Sequence, residues 1–162
     1  PRTIVCHAGY DWRRYGFLRE LWLQHSIATW SEFGAALHDR GCRLMLENVY
    51  EETPEEIAVL LEPLAESHVG FCLDSGHQNA FSKAPLARWL DVLGPTVGQL
   101  HLHDNRGARD EHIALGEGNI DFPMLLQHLR RLHPTPPVVT LEPHAEDSLR
   151  PSLNYLEKHW PW

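Results

Sequence analysis

The sequence predicts an α/β fold of parallel β/α units. Three observations carry that prediction. Five short apolar runs alternate with helix-like stretches along the chain. Each run ends in His, Asp, Asn or Glu. Within the runs, alternation puts the aliphatic residues on one face and gathers ionisable residues on the other, toward the C-terminal end. A polar, ionisable mouth at the C-terminal edge of a parallel sheet is where β/α folds do their chemistry.

The elements follow in order. Strands are expected at 2–7 (RTIVCH), 43–48 (RLMLEN), 69–74 (VGFCLD), 97–103 (VGQLHLH) and 137–142 (PVVTLE), each short, apolar and near a turn signal. Between the first two, Leu18, Leu21, Trp22, Trp30, Phe33 and Leu37 recur at helical spacing over 17–39, with Gly41 as a terminator. Thr53-Pro54-Glu55-Glu56 reads as an N-cap, a proline in the first turn and a capping-box glutamate. Further helices are expected at 84–93, at 121–132 behind Asp121 and Pro123, and at 146–159. Strand followed by helix, five times over, implies a parallel sheet covered by helices.

Chain size and charge narrow the classes. The 162 residues suffice for one domain with an ordinary core. A closed eight-stranded barrel typically takes about 250 residues, so five units imply either part of a barrel or an open five-stranded sheet. Fourteen basic against 22 acidic side chains leave a net charge of −8, which argues against a polyanion such as nucleic acid as partner. No apolar run approaches the roughly 20 residues of a membrane span. Three widely spaced cysteines do not form a disulfide framework, and a reducing cytoplasmic setting is expected.

The chemistry-bearing residues sit at the strand ends: His7, Glu47, Asp74 with His77, His101 with His103, and Glu142. Asp110-Glu111-His112 lies in the loop after the fourth strand. Parallel strands converge these groups into one nest of oxygen and nitrogen donors without thiolate. Such a set suits Zn²⁺ or Mn²⁺, with Mg²⁺ or Co²⁺ also accommodated. Without a cation, Glu47, Asp74 and Glu142 repel one another.

The ordered set Leu46-Glu47-Asn48, Leu73-Asp74-Ser75-Gly76-His77, His101-Leu102-His103-Asp104, Asp110-Glu111-His112, Leu115-Gly116-Glu117-Gly118-Asn119-Ile120-Asp121-Phe122 and Leu141-Glu142 resembles the xylose-isomerase-like TIM-barrel superfamily. That group holds sugar and sugar-phosphate isomerases and epimerases, and endonuclease IV. The resemblance covers about residues 3–158 and implies a single domain, residues 1–162, matching the last five strands of the barrel and lacking the first three β/α units.

By the resemblance, Glu47, Asp74, His101 and Glu142 hold one divalent ion. His7, His77, Asp110 and His112 are implied as additional metal or substrate ligands. His103 departs from the endonuclease IV pattern. The implied activity is isomerisation or epimerisation of a small sugar, sugar phosphate or related hydroxycarbonyl compound through a metal-stabilised enediolate. Glu47 and Glu142 move the proton, and Arg106 and Arg109 contact substrate oxygens. Two alternatives stand beside it: a zinc-dependent phosphodiesterase at abasic DNA sites, and an inactive metal-binding fragment. Open strand edges imply a homo-oligomer or part of a longer chain.

Overall fold

The computed structural model describes residues 1–162. Five parallel strands form one sheet in chain order: β1 (Thr3–His7), β2 (Arg43–Glu47), β3 (Gly70–Asp74), β4 (Val97–Leu102) and β5 (Val138–Leu141). The helices are α1 (Trp12–Tyr15), α2 (Arg19–His38), α3 (Pro54–Leu64), α4 (Ser75–Phe81), α5 (Leu86–Leu93), α6 (Phe122–Leu132) and α7 (Leu149–His159). This is a half-barrel of β/α units, with β1 and β5 each paired on one side only.

Alternation along the strands builds the core. Leu44, Leu46, Phe71, Leu73, Leu100 and Leu102 point outward and meet Ile57, Leu60, Leu64, Trp89, Leu90, Leu125 and Leu129 of the helices, all fully buried. Dry aliphatic packing of this kind is the main stabilising contribution, at about 25 cal/mol per Å² removed from water.

The inner face is built differently. His7 registers with Glu47, Glu47 with Cys72, Cys72 with Gln99, and Asp74 with His101. The pairing of β3 with β4 slips by one residue, because Phe71 opposes Val97 and Cys72 opposes Gln99. The extra residue is Gly98, and the slip keeps Gln99 and His101 on the same face as Cys72 and Asp74. Below the polar end, Met45 lies across Gly70 and Gly98. A Cβ on either glycine would stand under 3 Å from its Sδ. Met45 is thereby buried without an opposite barrel wall. Val5 and Val138 are half-buried.

Several boundaries differ from the sequence reading. The long helix expected over 17–39 is α2, starting two residues later than expected, and the short α1 and a 3₁₀ turn at Gly16–Leu18 precede it. Its core stripe is Trp22, Leu23, Ile27, Trp30 and Leu37, while Leu18, Leu21 and Phe33 are exposed. At α3, Thr53 makes no side-chain cap, and Glu56 accepts instead from the backbone N–H of Glu52 at 2.9 Å. The stretch after Asp74 is helix α4, not a loop. The Asp74 carboxylate caps it by accepting from His77 N–H at 2.7 Å. No helix is long and apolar enough to cross a membrane.

Candidate metal centre

Four side chains from neighbouring strand ends meet on the inner face. Glu47 closes β2, Asp74 closes β3, His101 lies on β4, and Glu142 follows β5, where its N–H continues the sheet by donating to Leu102 O. Their donor atoms lie within 4.8 Å of one another. His101 Nδ1 stands 2.9 Å from an oxygen of Glu47 and 2.9 Å from an oxygen of Glu142. Three carboxylates around one imidazole nitrogen need a positive charge between them. In the bare protein a proton supplies it. Burial works against a charged His101, but its hydrogen bonds with Cys72, Glu142 and Glu47 outweigh that and push its pKa up to about 12. The same bond to His101 holds Glu142 below the usual carboxylate range. Cys72, just beneath, is pushed up to about 11 by burial and stays a thiol.

This donor set fits a hard or borderline divalent ion. Three carboxylates and one imidazole, with no thiolate, match Mn²⁺, Mg²⁺, Co²⁺ or Zn²⁺. An ion would replace the proton on His101 Nδ1 as the charge that neutralises the cluster.

Asp74 faces two ways. Besides capping α4 it accepts from His103 Nε2 at 3.1 and 3.3 Å. Burial opposes its charge, yet His103 and His77 keep its pKa low. Its partner His103 is raised, with burial again opposing and the Asp74 bond and the Asp110 and Glu142 charges prevailing. The ring of His103 lies against Gly76, where a Cβ would stand 1.8 Å from Cε1. Beyond His103 is a second group, His77, His103, Asp110 and His112, again with donors within 4.8 Å. The sequence reading has His77, Asp110 and His112 in this set and leaves His103 out. It does place His103 beside His101 among the strand-end donors, because their two-residue spacing puts both imidazoles on one strand face.

The loop carrying Asp110 and His112 is held by Asp104, which is fully buried. Its oxygens accept from the N–H groups of Asn105, Gly116, Gly118 and Ile120 at 2.9–3.3 Å. The Leu115–Phe122 motif is therefore a wrap around one carboxylate. A Cβ on Gly118 would stand 2.2 Å from Asp104 Oδ1, so only glycine fits there.

The remaining sequence candidates lie at the rim. His7 is exposed, with Nε2 3.4 Å from Glu47 Oε2, and belongs to neither group of four. Arg106 is exposed and pairs with Glu111 at 3.0 Å, and Arg109 is exposed on the same loop. Beside His7 a cavity of about 240 Å³ is lined by Tyr10, Arg14, Tyr15, Tyr50 and Glu51. Glu51, absent from the sequence reading, is buried, and burial pushes its carboxyl up to about 7. No pattern in the sequence separates Glu51 from the less buried residues beside it.

An uncharacterized protein of Methanocaldococcus jannaschii is 32% identical over 144 residues, covering 80% of this chain and 47% of that one. The chain spans about half the length of the curated relatives it matches. A D-tagatose 3-epimerase-like protein superposes with a TM-score of 0.81 at 26% identity, over 98% of this chain and 61% of its own. A Thermus thermophilus protein, in crystals soaked with ZnCl2, gives 0.70 at 28%, over 97% and 60%. Sugar epimerases are among the solved structures that share the fold. The family described as xylose isomerase-like TIM barrel matches residues 2–159, and the chain belongs to that family.

Proposed function

We propose that this chain carries the metal-dependent active site of an isomerase or epimerase acting on a small sugar, sugar phosphate or related hydroxycarbonyl compound. The observation that carries the reading is the convergence of Glu47, Asp74, His101 and Glu142, with His101 Nδ1 between two glutamates. Likeness to a D-tagatose 3-epimerase-like protein supports the same class.

Those four residues would hold the ion. When bound, a divalent ion polarises a carbonyl and stabilises the negative charge that develops when the adjacent C–H loses its proton. The protein's own residues supply the proton transfer. Glu142 is ionised, partly exposed and at the open end of the sheet, so it can accept a proton from a bound substrate. Glu47, buried and three strands away, faces the same space and returns the proton on the other side. Asp74 orients through its bonds to His103 and α4. The cavity beside His7, with tyrosines, Arg14 and the protonatable Glu51, offers aromatic and hydrogen-bonding surface to the substrate's unreacting end. Further strands, from the same chain or a second copy, would cover the open inner face.

The test is solvent-proton exchange. Incubated in D₂O with Mn²⁺ or Co²⁺ and a panel of ketoses and ketose phosphates, the protein should wash deuterium into the carbon beside the carbonyl. Glu47→Gln and Glu142→Gln should each lower that rate by about 10³-fold while remaining folded. Full activity in either variant contradicts its assigned role.

The group of His77, Asp110 and His112 is the observation that favours phosphodiester cleavage at abasic sites instead. The −8 charge opposes it. Salt-dependent binding and nicking of an abasic duplex would establish that alternative.

A further inference from the structure

The second polar group holds a feature that neither the substrate reading nor the family resemblance uses. Each of its three imidazoles is tied down by its far nitrogen. His77 Nδ1 donates to Asn48 O at 2.9 Å, and His112 Nδ1 donates to Glu142 O at 2.6 Å. His103 Nε2 donates to the Asp74 carboxylate. Carbonyl and carboxylate oxygens only accept, so in the neutral form of each ring the proton sits on this far nitrogen and the other nitrogen is the one available to a metal ion. Those three nitrogens all face Asp110. His77 Nε2 is 3.4 Å and His112 Nε2 3.1 Å from Oδ2, and His103 Nδ1 is 3.6 Å from Oδ1.

His103 is what distinguishes this group. It is 1% exposed, and both His103 Nδ1 and Asp110 Oδ1 are buried without a hydrogen-bond partner. They face each other across a gap too wide for a hydrogen bond. An orphaned nitrogen and an orphaned oxygen aimed at one another are costly unless something sits between them. The ring is also built in, because only glycine at position 76 leaves room for it.

Resting on the reading of His77, Asp110 and His112 as additional metal ligands, we propose that His103 is a fourth protein ligand that closes this second site. Three nitrogens and one oxygen match tetrahedral Zn²⁺. Four protein donors leave no position for a reacting water, so an ion here is a fastener. It ties the loop bearing Asp110 and His112 to α4 through His77 and to the end of β4 through His103. The reacting oxygens are thereby left to the first group.

The bare arrangement adds one requirement. The rings of His103 and His112 are stacked at 3.6 Å and 4°, and His144 stacks on the other face of His112 at 3.7 Å. Lone pairs in parallel planes do not converge on one point, so loading tilts His112. Exposed His144 is the neighbour that gives way.

Co²⁺ absorption tests this without reference to activity. The full chain titrated with Co²⁺ should bind two ions, one of them with the intense visible bands of a four-coordinate ion. His103→Asn, which can still donate to Asp74, should keep the weakly absorbing ion, lose the intense bands and bind the second ion about 100-fold more weakly. Asp110→Asn, on the partly exposed loop, should lose the same bands and decides the matter if His103→Asn fails to fold. Glu142→Gln should remove the weakly absorbing ion and keep the intense bands. Intense bands unchanged in His103→Asn, or a second ion with weak bands only, overturns the fourth ligand. One ion per chain, lost in Glu142→Gln, overturns the second site and leaves the proposed active site standing. Failure to bind any ion removes both.

Discussion

At the scale of single residues, the site depends on close approaches that only particular side chains permit. Gly76 lies in α4, where alanine would ordinarily stabilise by about 0.5–1 kcal/mol. Here the added methyl meets the His103 ring at 1.8 Å. Gly76→Ala should therefore destabilise the protein by about 1–3 kcal/mol, read by urea denaturation, and should displace His103 from Asp74. A neutral or stabilising result would mean that His103 is not held where the geometry puts it. Asp74 has a similar economy. One carboxylate caps α4, orients His103 and completes the first group, so its strand-end position links the two groups of polar side chains.

Among the elements, the loop between β4 and α6 is the part whose order is least local. It is irregular from residue 103 to 121 yet carries Asp110 and His112. Its shape comes from the four amides that converge on Asp104. Asp104→Asn replaces one acceptor oxygen by an amide that confronts two backbone N–H groups. It should cost about 1–3 kcal/mol and speed hydrogen exchange at Gly116, Gly118 and Ile120, while the sheet amides keep their protection. Unchanged exchange in the loop would refute that role for Asp104. The strands themselves were legible in the sequence to within a residue or two, because apolar alternation and turn residues bracket each one. Period-2 alternation gathered Glu47, Asp74, His101 and Glu142 with the other strand-end donors on one face, and the family resemblance, not the alternation, singled out these four. Helix α4 was not, because Ser75–Phe81 is short and mostly polar and its cap is a residue already read as a ligand. The one-turn helix α1 was not legible either, because its four residues, Trp12–Tyr15, are too few to show a helical period. Glu51 was invisible because its burial comes from how the loop after β2 folds back, and nothing in its neighbours encodes that.

For the whole molecule, the stability of the metal-free protein and the stabilisation that an ion adds should change with pH in opposite directions. The folded pKa of His101 is raised to about 12 from 6.5. Its contribution is complete below pH 6.5 and is lost as pH rises from there toward 12. Glu142 is lowered from 4.5, so its contribution is complete above 4.5 and is lost as pH falls below it. Glu51, raised from 4.5 to about 7, adds a loss of stability as pH climbs between those values. With chelator present, melting temperature should peak between about pH 4.5 and 6.5 and decline through pH 9. A divalent ion requires His101 Nδ1 to be free of its proton, so the stabilisation it confers should grow over the same range. A flat profile for the chelated protein above pH 6.5 would contradict the proton-for-cation picture.

The central claim is that Glu47, Asp74, His101 and Glu142 hold a divalent ion where the bare protein holds a proton. Isothermal titration of Mn²⁺ at pH 7.5, in two buffers of different ionisation enthalpy, tests it most directly. Binding should be saturable, with release of about one proton per ion at this site, and that event should be lost in Glu142→Gln. Absence of binding, or binding that releases no proton and survives Glu142→Gln, would contradict it.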